Sequence, residues 1–220
     1  FFVFSDPEWR GTIVILLGSS ILVTALVLIH GVYTDPVEAF RIAAFNTISM
    51  GSTTGYSTTD YTQWPIFAPV LMLLLSGIAT SAGSTGAGIK MARLVILVKQ
   101  TRREIKRMLH PRVIDPLMVN GSLVANQTVF AVLAFMLVYG GTILGFTFLL
   151  LLTDMPLDTA FSAVVACANN AGPGLNEVGP AGNYAGLTEF QVNICAVAMI
   201  LGRLEMMSFL AIFSFSYWRE

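Results

Sequence analysis

The stretch GSTTGYSTTDY, residues 51–61, combines two glycines with many hydroxyl side chains between two apolar segments. Glycine permits backbone angles that regular structure excludes, and this composition is typical of a backbone that stays polar and non-helical inside a membrane. Such irregular backbone is tolerated at membrane depth only where protein buries it or where it lines a water-filled path. An extended segment there presents a ladder of carbonyl oxygens, which can replace the hydration shell of a cation. The stretch therefore predicts a cation-coordinating loop.

The surrounding chain has the composition of an integral membrane protein. Of its 220 residues, 55% are hydrophobic and 11% are charged, against about 25% charged residues in soluble domains. Residues 11–29, 64–89 and 116–153 carry no formal charge, and each run is long enough for a helix of about 20 residues that crosses a bilayer. The first run lacks the features of a signal peptide, and the start at Phe1 predicts a fragment of a longer polypeptide.

The basic residues predict the orientation of the chain. Eight of the twelve lysines and arginines lie between Lys90 and Arg112, and the positive-inside rule places such a segment in the cytoplasm. Residues 111–127, with an Asn-Gly turn at 120–121, form a short cytoplasmic connector between two halves. The two cysteines and two histidines have no metal-ligand spacing, so we expect no metal centre, no cofactor and no enzymatic activity. Nothing in the charge pattern indicates nucleic acid as a partner.

The two halves are similar to each other. Aligning Gly55 with Gly172 also aligns Asp60 with Glu177, and PVEAF in the first half corresponds to PLDTAF in the second. Each middle segment is too short to cross a membrane, which indicates a half-helix that enters it and an extended return. We therefore predict an all-α membrane protein with two span–re-entrant loop–span repeats and broken or interrupted second spans. Because TTGY at 53–56 resembles the TVGYG filter of potassium channels, we expect a potassium-channel-like architecture.

The predicted boundaries follow from this alignment. The first pore repeat covers 1–110, with a span at 11–30, a pore helix at 36–50, a filter loop at 51–60 and a broken span at 64–108. The second covers 128–220, with a span at 128–152, a pore helix at 156–168, a filter loop at 169–177 and a span at 188–217.

Four motifs carry a resemblance to a known family: NTISMGSTTGYSTTDY, AGSTGAGIKMAR, ANNAGPGLNEVGP and GRLEMMSF. They resemble the TrkH/KtrB superfamily of potassium transporters, more closely its TrkH branch, and TTGY also resembles the TVGYG filter of potassium channels. Members of that superfamily carry four such repeats around one pore, whereas this chain holds two, matching the third and fourth. The resemblance implies potassium as the transported ion, bound by carbonyl groups at eight positions: Ser52, Thr53, Thr54, Gly55, Asn169, Asn170, Ala171 and Gly172.

The same resemblance implies the setting in which the chain works. It indicates a multi-pass protein of the bacterial inner (plasma) membrane that forms a homodimer. It also implies a cytosolic nucleotide-binding regulatory subunit as a partner, close to the basic segment 99–112.

A glycine-rich stretch, SGIATSAGSTGAGIK at 76–90, interrupts the second uncharged run. Glycine disfavours helix, so we expect this span to break there. A nucleotide-binding P-loop needs Gly-Lys-Ser/Thr, but Ile89 separates Gly88 from Lys90. The family resemblance instead implies an intramembrane loop below the filter that obstructs the path. The predicted gate residues are Gly83, Ser84, Thr85, Gly86, Gly88, Lys90 and Arg203.

Arg203 and Glu205 lie between apolar residues in the last span, where charges are costly and indicate function. Acidic residues predominate on the predicted outer side, and an acidic mouth raises the local concentration of cations. We expect Asp60 and Glu177 to form that mouth. Two functions remain open: potassium uptake through a channel-like pore, or a broken-helix secondary carrier for another cation or small solute.

Overall fold

The computed structural model describes residues 6–84, 86–113, 115–204 and 206. This part of the chain is mostly helical and includes one small hairpin. Its elements are α1 (Pro7–Ile29), α2 (Pro36–Gly51), α3 (Phe67–Ile78), α4 (Met91–Leu109), β1 (Met118–Val119), β2 (Ser122–Leu123), α5 (Asn126–Leu151), α6 (Leu157–Asn169) and α7 (Glu189–Arg203).

Helices α1 and α5 are long and apolar enough to cross a membrane, with mean hydropathies of 2.7 and 2.2. At 23 and 26 residues, they extend about 35 and 39 Å. Asp6 caps the start of α1 by accepting a hydrogen bond from the Glu8 amide at 2.8 Å, and Pro7 suits the first helical turn, where no amide donor is needed. Few of their side chains are buried within this chain, as expected for spans that have a face in contact with lipid.

The half-helices α2 and α6 have 16 and 13 residues, or about 24 and 20 Å, which is too short for a hydrocarbon core of about 30 Å. Helix α2 starts with Asp35 as its cap and Pro36 in its first turn. Helix α6 is buried almost throughout, including the sequence AVVACA at 163–168. These small side chains allow neighbouring helices to approach closely.

The uncharged run 64–89 does not form one continuous helix. Helix α3 ends at Ile78 and α4 begins only at Met91, so the described glycine-rich residues between them form an irregular segment, which we call the inner loop (residues 79–84 and 86–90). The amides of Ile89 and Lys90 both donate to the Gly77 carbonyl, at 2.7 and 3.3 Å. These bonds close the inner loop at its base.

The segment between the halves contains the two strands of the described residues. Met118 pairs with Leu123 and Val119 with Ser122, while Asn120 and Gly121 make the tight turn with φ values of 51° and 74°. Positive φ at both central residues is characteristic of the Asn-Gly hairpin turn.

Packing joins the two halves around α6. Helix α2 packs against α1 and α3, while α6 contacts α3, α5 and α7. The core is continuous across the contact between α3 and α6, and it includes Met72, Val164 and Ala168. The polar loops that follow α2 and α6 are thereby brought together.

Candidate ion-binding site

The loop after α2, which we call glycine loop 1 (residues 51–60), reverses the chain through two hydrogen bonds. The Thr53 amide donates to the Met50 carbonyl at 3.1 Å, and the Thr54 amide donates to the Ser49 carbonyl at 2.9 Å. This is the Schellman pattern that ends many helices, and it requires a left-handed residue, usually glycine. Here that residue is Thr53, with φ of 56°. A β-branched residue in this conformation is strained.

The loop after α6, glycine loop 2 (residues 169–177), repeats the arrangement. The Asn170 amide donates to the Cys167 carbonyl at 3.0 Å, and the Ala171 amide donates to the Ala166 carbonyl at 2.9 Å. Asn170 has φ of 53°, as Thr53 has φ of 56° in the first loop. The aligned glycines of the two loops also both have positive φ, of 80° and 100°. Each donor, acceptor and left-handed residue of one loop therefore falls on its counterpart in the other.

Side chains of the half-helices form hydrogen bonds to the later residues of each glycine loop. Asn46 accepts from the Thr58 amide at 3.1 Å and donates to the Thr58 hydroxyl at 2.9 Å. The Ser49 hydroxyl donates to the Tyr56 carbonyl at 2.6 Å. In the second half, the Ser162 hydroxyl accepts from the amide of Leu175 at 3.0 Å. Each return is therefore fixed to the helix that precedes it.

The two glycine loops meet at Gly55. A β-carbon at this position would overlap the carbonyl oxygen of Ala171 and lie 3.6 Å from the Pro173 ring. Ala171 is buried, whereas Ser52 and Thr54 are exposed, with their hydroxyl groups 2.8 Å apart. The backbone of Gly55 thus takes part in a contact that leaves no room for a side chain.

The carbonyl of Gly172 already has a partner within the protein. The Tyr184 hydroxyl donates to it at 3.0 Å. Burial raises the pKa of Tyr184, so this hydroxyl keeps its proton and remains a donor at neutral pH. Among the eight predicted ligands, Gly172 is therefore less available to an ion in this conformation.

The inner loop lies against both glycine loops. A β-carbon on Gly86 would lie 3.1 Å from the Thr53 hydroxyl, and one on Gly88 would lie 2.9 Å from the Asn169 side-chain oxygen. At the end of the inner loop, the amide of the first α4 residue donates to the Thr80 carbonyl at 2.8 Å. Glycine is thus required where this segment passes the ends of the half-helices.

A cavity of about 210 Å³ brings five of the seven predicted gate residues together: Ser84, Gly86, Gly88, Lys90 and Arg203. Gly83 is exposed at the tip of the inner loop, outside the cavity lining, and Thr85 lies outside the described residues. Arg203 is the last residue of α7 and is exposed, and most of the predicted span beyond it lies outside the described residues. Glu205 also lies outside the described residues.

Three polar or aromatic side chains of this cavity, Arg93, Phe135 and Tyr139, are not among the residues predicted from the sequence. The Arg93 guanidinium lies 4.0 Å from the centre of the Phe135 ring, a cation–π contact. An arginine on α4 near the inner loop is visible in the sequence, but its aromatic partner on α5 is not.

Comparison with known proteins identifies the family of this chain. A family model described as TrkH, cation transport protein, matches residues 4–218. The chain belongs to the TrkH family. It is 38% identical to the Trk system potassium uptake protein TrkH of Vibrio parahaemolyticus over 219 residues, covering 100% of this chain and 45% of that protein. It is 34% identical to the Salmonella typhimurium protein of the same name, covering 98% of this chain and 44% of that protein.

The crystal structure of the potassium transporter TrkH from Vibrio parahaemolyticus has the same fold. The TM-score is 0.92 at 38% identity, covering 99% of this chain and 46% of that one. The resemblance and the helical TrkH-like fold expected from the sequence are therefore confirmed. The chain spans about half the length of the relatives that it matches.

The two predicted mouth residues, Asp60 and Glu177, lie at or near the ends of the two glycine loops. Asp60 accepts hydrogen bonds from the Thr62 hydroxyl at 2.5 Å and the Thr62 amide at 3.1 Å, and from Gln63 at 3.3 Å. The Thr62 hydroxyl chiefly lowers the pKa of Asp60, although burial opposes the shift. Asp60 is therefore ionised at neutral pH. Glu177 is exposed on a short 3₁₀ turn at the end of glycine loop 2.

Asn169 connects three helices of the TrkH fold through its side chain. It is fully buried, accepts from the Tyr139 hydroxyl at 2.7 Å and donates to the Ser76 hydroxyl at 2.9 Å. Ser76 in turn donates to the Leu73 carbonyl at 2.6 Å. The side chain of Asn169 is thus committed to this relay between α5, α6 and α3, and only its backbone carbonyl remains as a possible ion ligand.

We expect Tyr139→Phe to lower the free energy of unfolding by about 1 kcal/mol, because it leaves the buried Asn169 oxygen without its donor. Denaturant titration in detergent micelles measures the effect. Tyr33→Phe is the matched control, since no hydrogen bond of its hydroxyl is seen among the described residues and its ring packs edge-on to Trp64. Equal values for the two variants would contradict a stabilising role for the relay.

Proposed function

We propose that this chain supplies two of the walls of a potassium-conducting pore, with glycine loops 1 and 2 as parts of its selectivity filter. The observation that carries the proposal is the matched backbone of the two loops, in which left-handed residues and helix-ending bonds recur at aligned positions. Two equivalent loops that meet at Gly55 suit ligands arranged around a common axis. The relatives' name, Trk system potassium uptake protein, supports potassium as the ion.

Backbone carbonyls of residues 52–55 and 169–172 are the proposed ligands. Carbonyl dipoles can replace the hydration shell of potassium when several of them converge at fixed positions. The strained Thr53 supports this role, because left-handed non-glycine residues persist only where the surrounding structure imposes them, often at functional sites. The remaining ligands of a complete filter would come from outside this chain, in segments equivalent to the other half of the relatives.

The inner loop is the proposed gate. Its glycines lie directly against Thr53 and Asn169, so the loop lies between the proposed filter and the start of α4. Arg203 lines the same cavity and adds a positive charge that opposes cation entry. The basic segment 99–112 is the proposed cytoplasmic face, which would contact the regulatory subunit. The complete transporter would form a homodimer in the inner membrane. This partner and the dimer rest on family resemblance.

The filter assignment predicts the effect of Gly55→Ser in the complete transporter. The side chain would be strained at φ of 80° and would displace the Ala171 carbonyl, so the two loops would no longer hold their ligands at fixed positions. We expect about a tenfold loss of potassium selection over sodium, equivalent to about 1.4 kcal/mol. Competition between the two ions in a flux assay measures this ratio.

Gly31→Ser is the matched control for Gly55→Ser. Gly31 also has a positive φ, of 68°, but it has no atom within 4 Å of an added β-carbon and no place in either glycine loop. An unchanged selectivity ratio for Gly55→Ser in folded protein would remove Gly55 from the filter. Selective uptake of a solute other than potassium would favour a broken-helix carrier.

The mouth assignment predicts that Asp60→Asn combined with Glu177→Gln lowers potassium flux severalfold at low ionic strength. The loss should shrink as salt rises, because the Debye length falls to about 10 Å at 0.1 M. Asparagine preserves the acceptor oxygen that Thr62 uses, so the local turn is retained. Glu104→Gln, on the basic segment, controls for the loss of a carboxylate elsewhere in the chain. A loss of flux that does not depend on salt would indicate structural damage in place of lost attraction.

The gate assignment predicts that Arg203→Ala raises flux, and that removal of Gly83 and Ser84 does so as well. The combined variant should add little, because groups that act as one unit are not additive. Arg203→Lys is the control that keeps the charge, and its flux should stay close to that of the unaltered protein. Unchanged or abolished flux in folded Arg203→Ala protein would show that the gate is misassigned.

A further inference from the structure

One face of α4 carries a cluster of four basic residues that the proposed pore does not use. Lys99, Arg102, Arg103 and Lys106 follow the spacing i, i+3, i+4, i+7, which places them on one side of the helix. Like charges at this spacing repel each other and destabilise a helix. An anion bound among them would remove that cost.

The hairpin connector turns this face into a pocket. Lys99 donates to the Met118 carbonyl at 2.7 Å, and Lys106 makes an ion pair with Asp115 at 2.8 Å. These contacts hold the connector beside α4 and border an open cavity of about 460 Å³ lined by the four basic residues, Asp115 and Met118 among others. The volume lies within the usual range of small-ligand sites, about 300–1,000 Å³.

Arg103, which lines this pocket, has only weak partners within the protein. The residue is only 9% exposed, yet its Nε atom has no hydrogen-bond partner among the described residues. Its hydrogen bond to Asn126 is long, at 3.4 Å, and the Glu104 carboxylate lies 3.8 Å from Nε. Glu104 lies closer to Arg107, at 3.2 Å. A buried guanidinium is costly unless it is paired and hydrogen-bonded.

Asp115 is the one acidic residue among the described lining residues. It does not compensate for the charge of Arg103, because it is already paired with Lys106. The lining therefore keeps an excess of positive charge, with the two guanidinium groups on consecutive residues. Arginine favours planar, doubly hydrogen-bonded contacts with phosphate oxygens. We propose that this pocket binds a phosphate group, carried either by an anionic phospholipid or by a soluble phosphate.

The two sources can be separated with the purified protein in neutral detergent. Titration with inorganic phosphate at constant ionic strength, followed by calorimetry, tests the soluble source. Native mass spectrometry after incubation with phosphatidylglycerol, with phosphatidylcholine as the reference lipid, tests the membrane source. Binding of either probe supports the proposal, and the probe that binds identifies the source.

Arg102→Gln should weaken binding of that probe about tenfold, corresponding to the loss of one charge-assisted hydrogen bond. Arg102 is exposed, so its replacement leaves the helix packing intact. Arg103→Lys keeps the charge but loses the planar fork, and it should weaken binding as well. Arg112→Gln is the matched control, because Arg112 lies on the same basic segment but outside the pocket lining.

Two results would overturn the proposal. One is the absence of binding by both probes. The other is a loss of affinity in Arg112→Gln that equals or exceeds the loss in Arg102→Gln, since this would indicate attraction to the basic segment as a whole. Circular dichroism of each variant confirms that the helical fold is retained.

Discussion

The need to satisfy backbone groups where a helix stops inside the protein governs this structure. The last carbonyls of a helix have no intrahelical partner, and α2 and α6 both end beside a packed core. Each end is resolved by folding two amides of the following loop back onto the helix, which fixes a left-handed residue at Thr53 and at Asn170. This reversal sets the direction in which each glycine loop leaves its helix.

Parts of this arrangement were predictable from the sequence for local reasons. Aspartate and proline at 35–36 mark a helix start, and glycines in a polar stretch mark its end, so the expected helix at 36–50 overlaps α2 almost completely. The glycines at 83–88 likewise predict a break, because glycine loses the most conformational freedom on helix formation. The alignment of Gly55 with Gly172 placed the two loops in the register that the backbone bonds display.

Other features depend on tertiary contacts that no local pattern encodes. Tyr139 and Asn169 are thirty residues apart on different helices, and neither segment alone indicates the other as its partner. The hydrogen bond from Tyr184 to the Gly172 carbonyl is similar, since nothing in the tyrosine's own segment indicates its acceptor. Thr53 is a different case. Because β-branched residues are avoided at left-handed positions, propensity alone does not predict a positive φ at Thr53. The helix-ending bonds overrule that preference.

The bonds around Asn169 also limit how the proposed gate can move. Its hydrogen bonds reach α3 at Ser76. The carbonyl of the next residue, Gly77, accepts the two amide hydrogen bonds that close the base of the inner loop. A movement of the whole loop about Gly77 would therefore break these bonds and disturb the start of glycine loop 2. The tip is different, because residues 81–84 are exposed and are held to α1 by a bond from the Ala82 amide to Glu8, at 2.5 Å. For the proposed gate, we therefore expect the tip to move over a fixed base, because this movement leaves the bonds around Asn169 intact. Glu8 is the contact that such a movement must release.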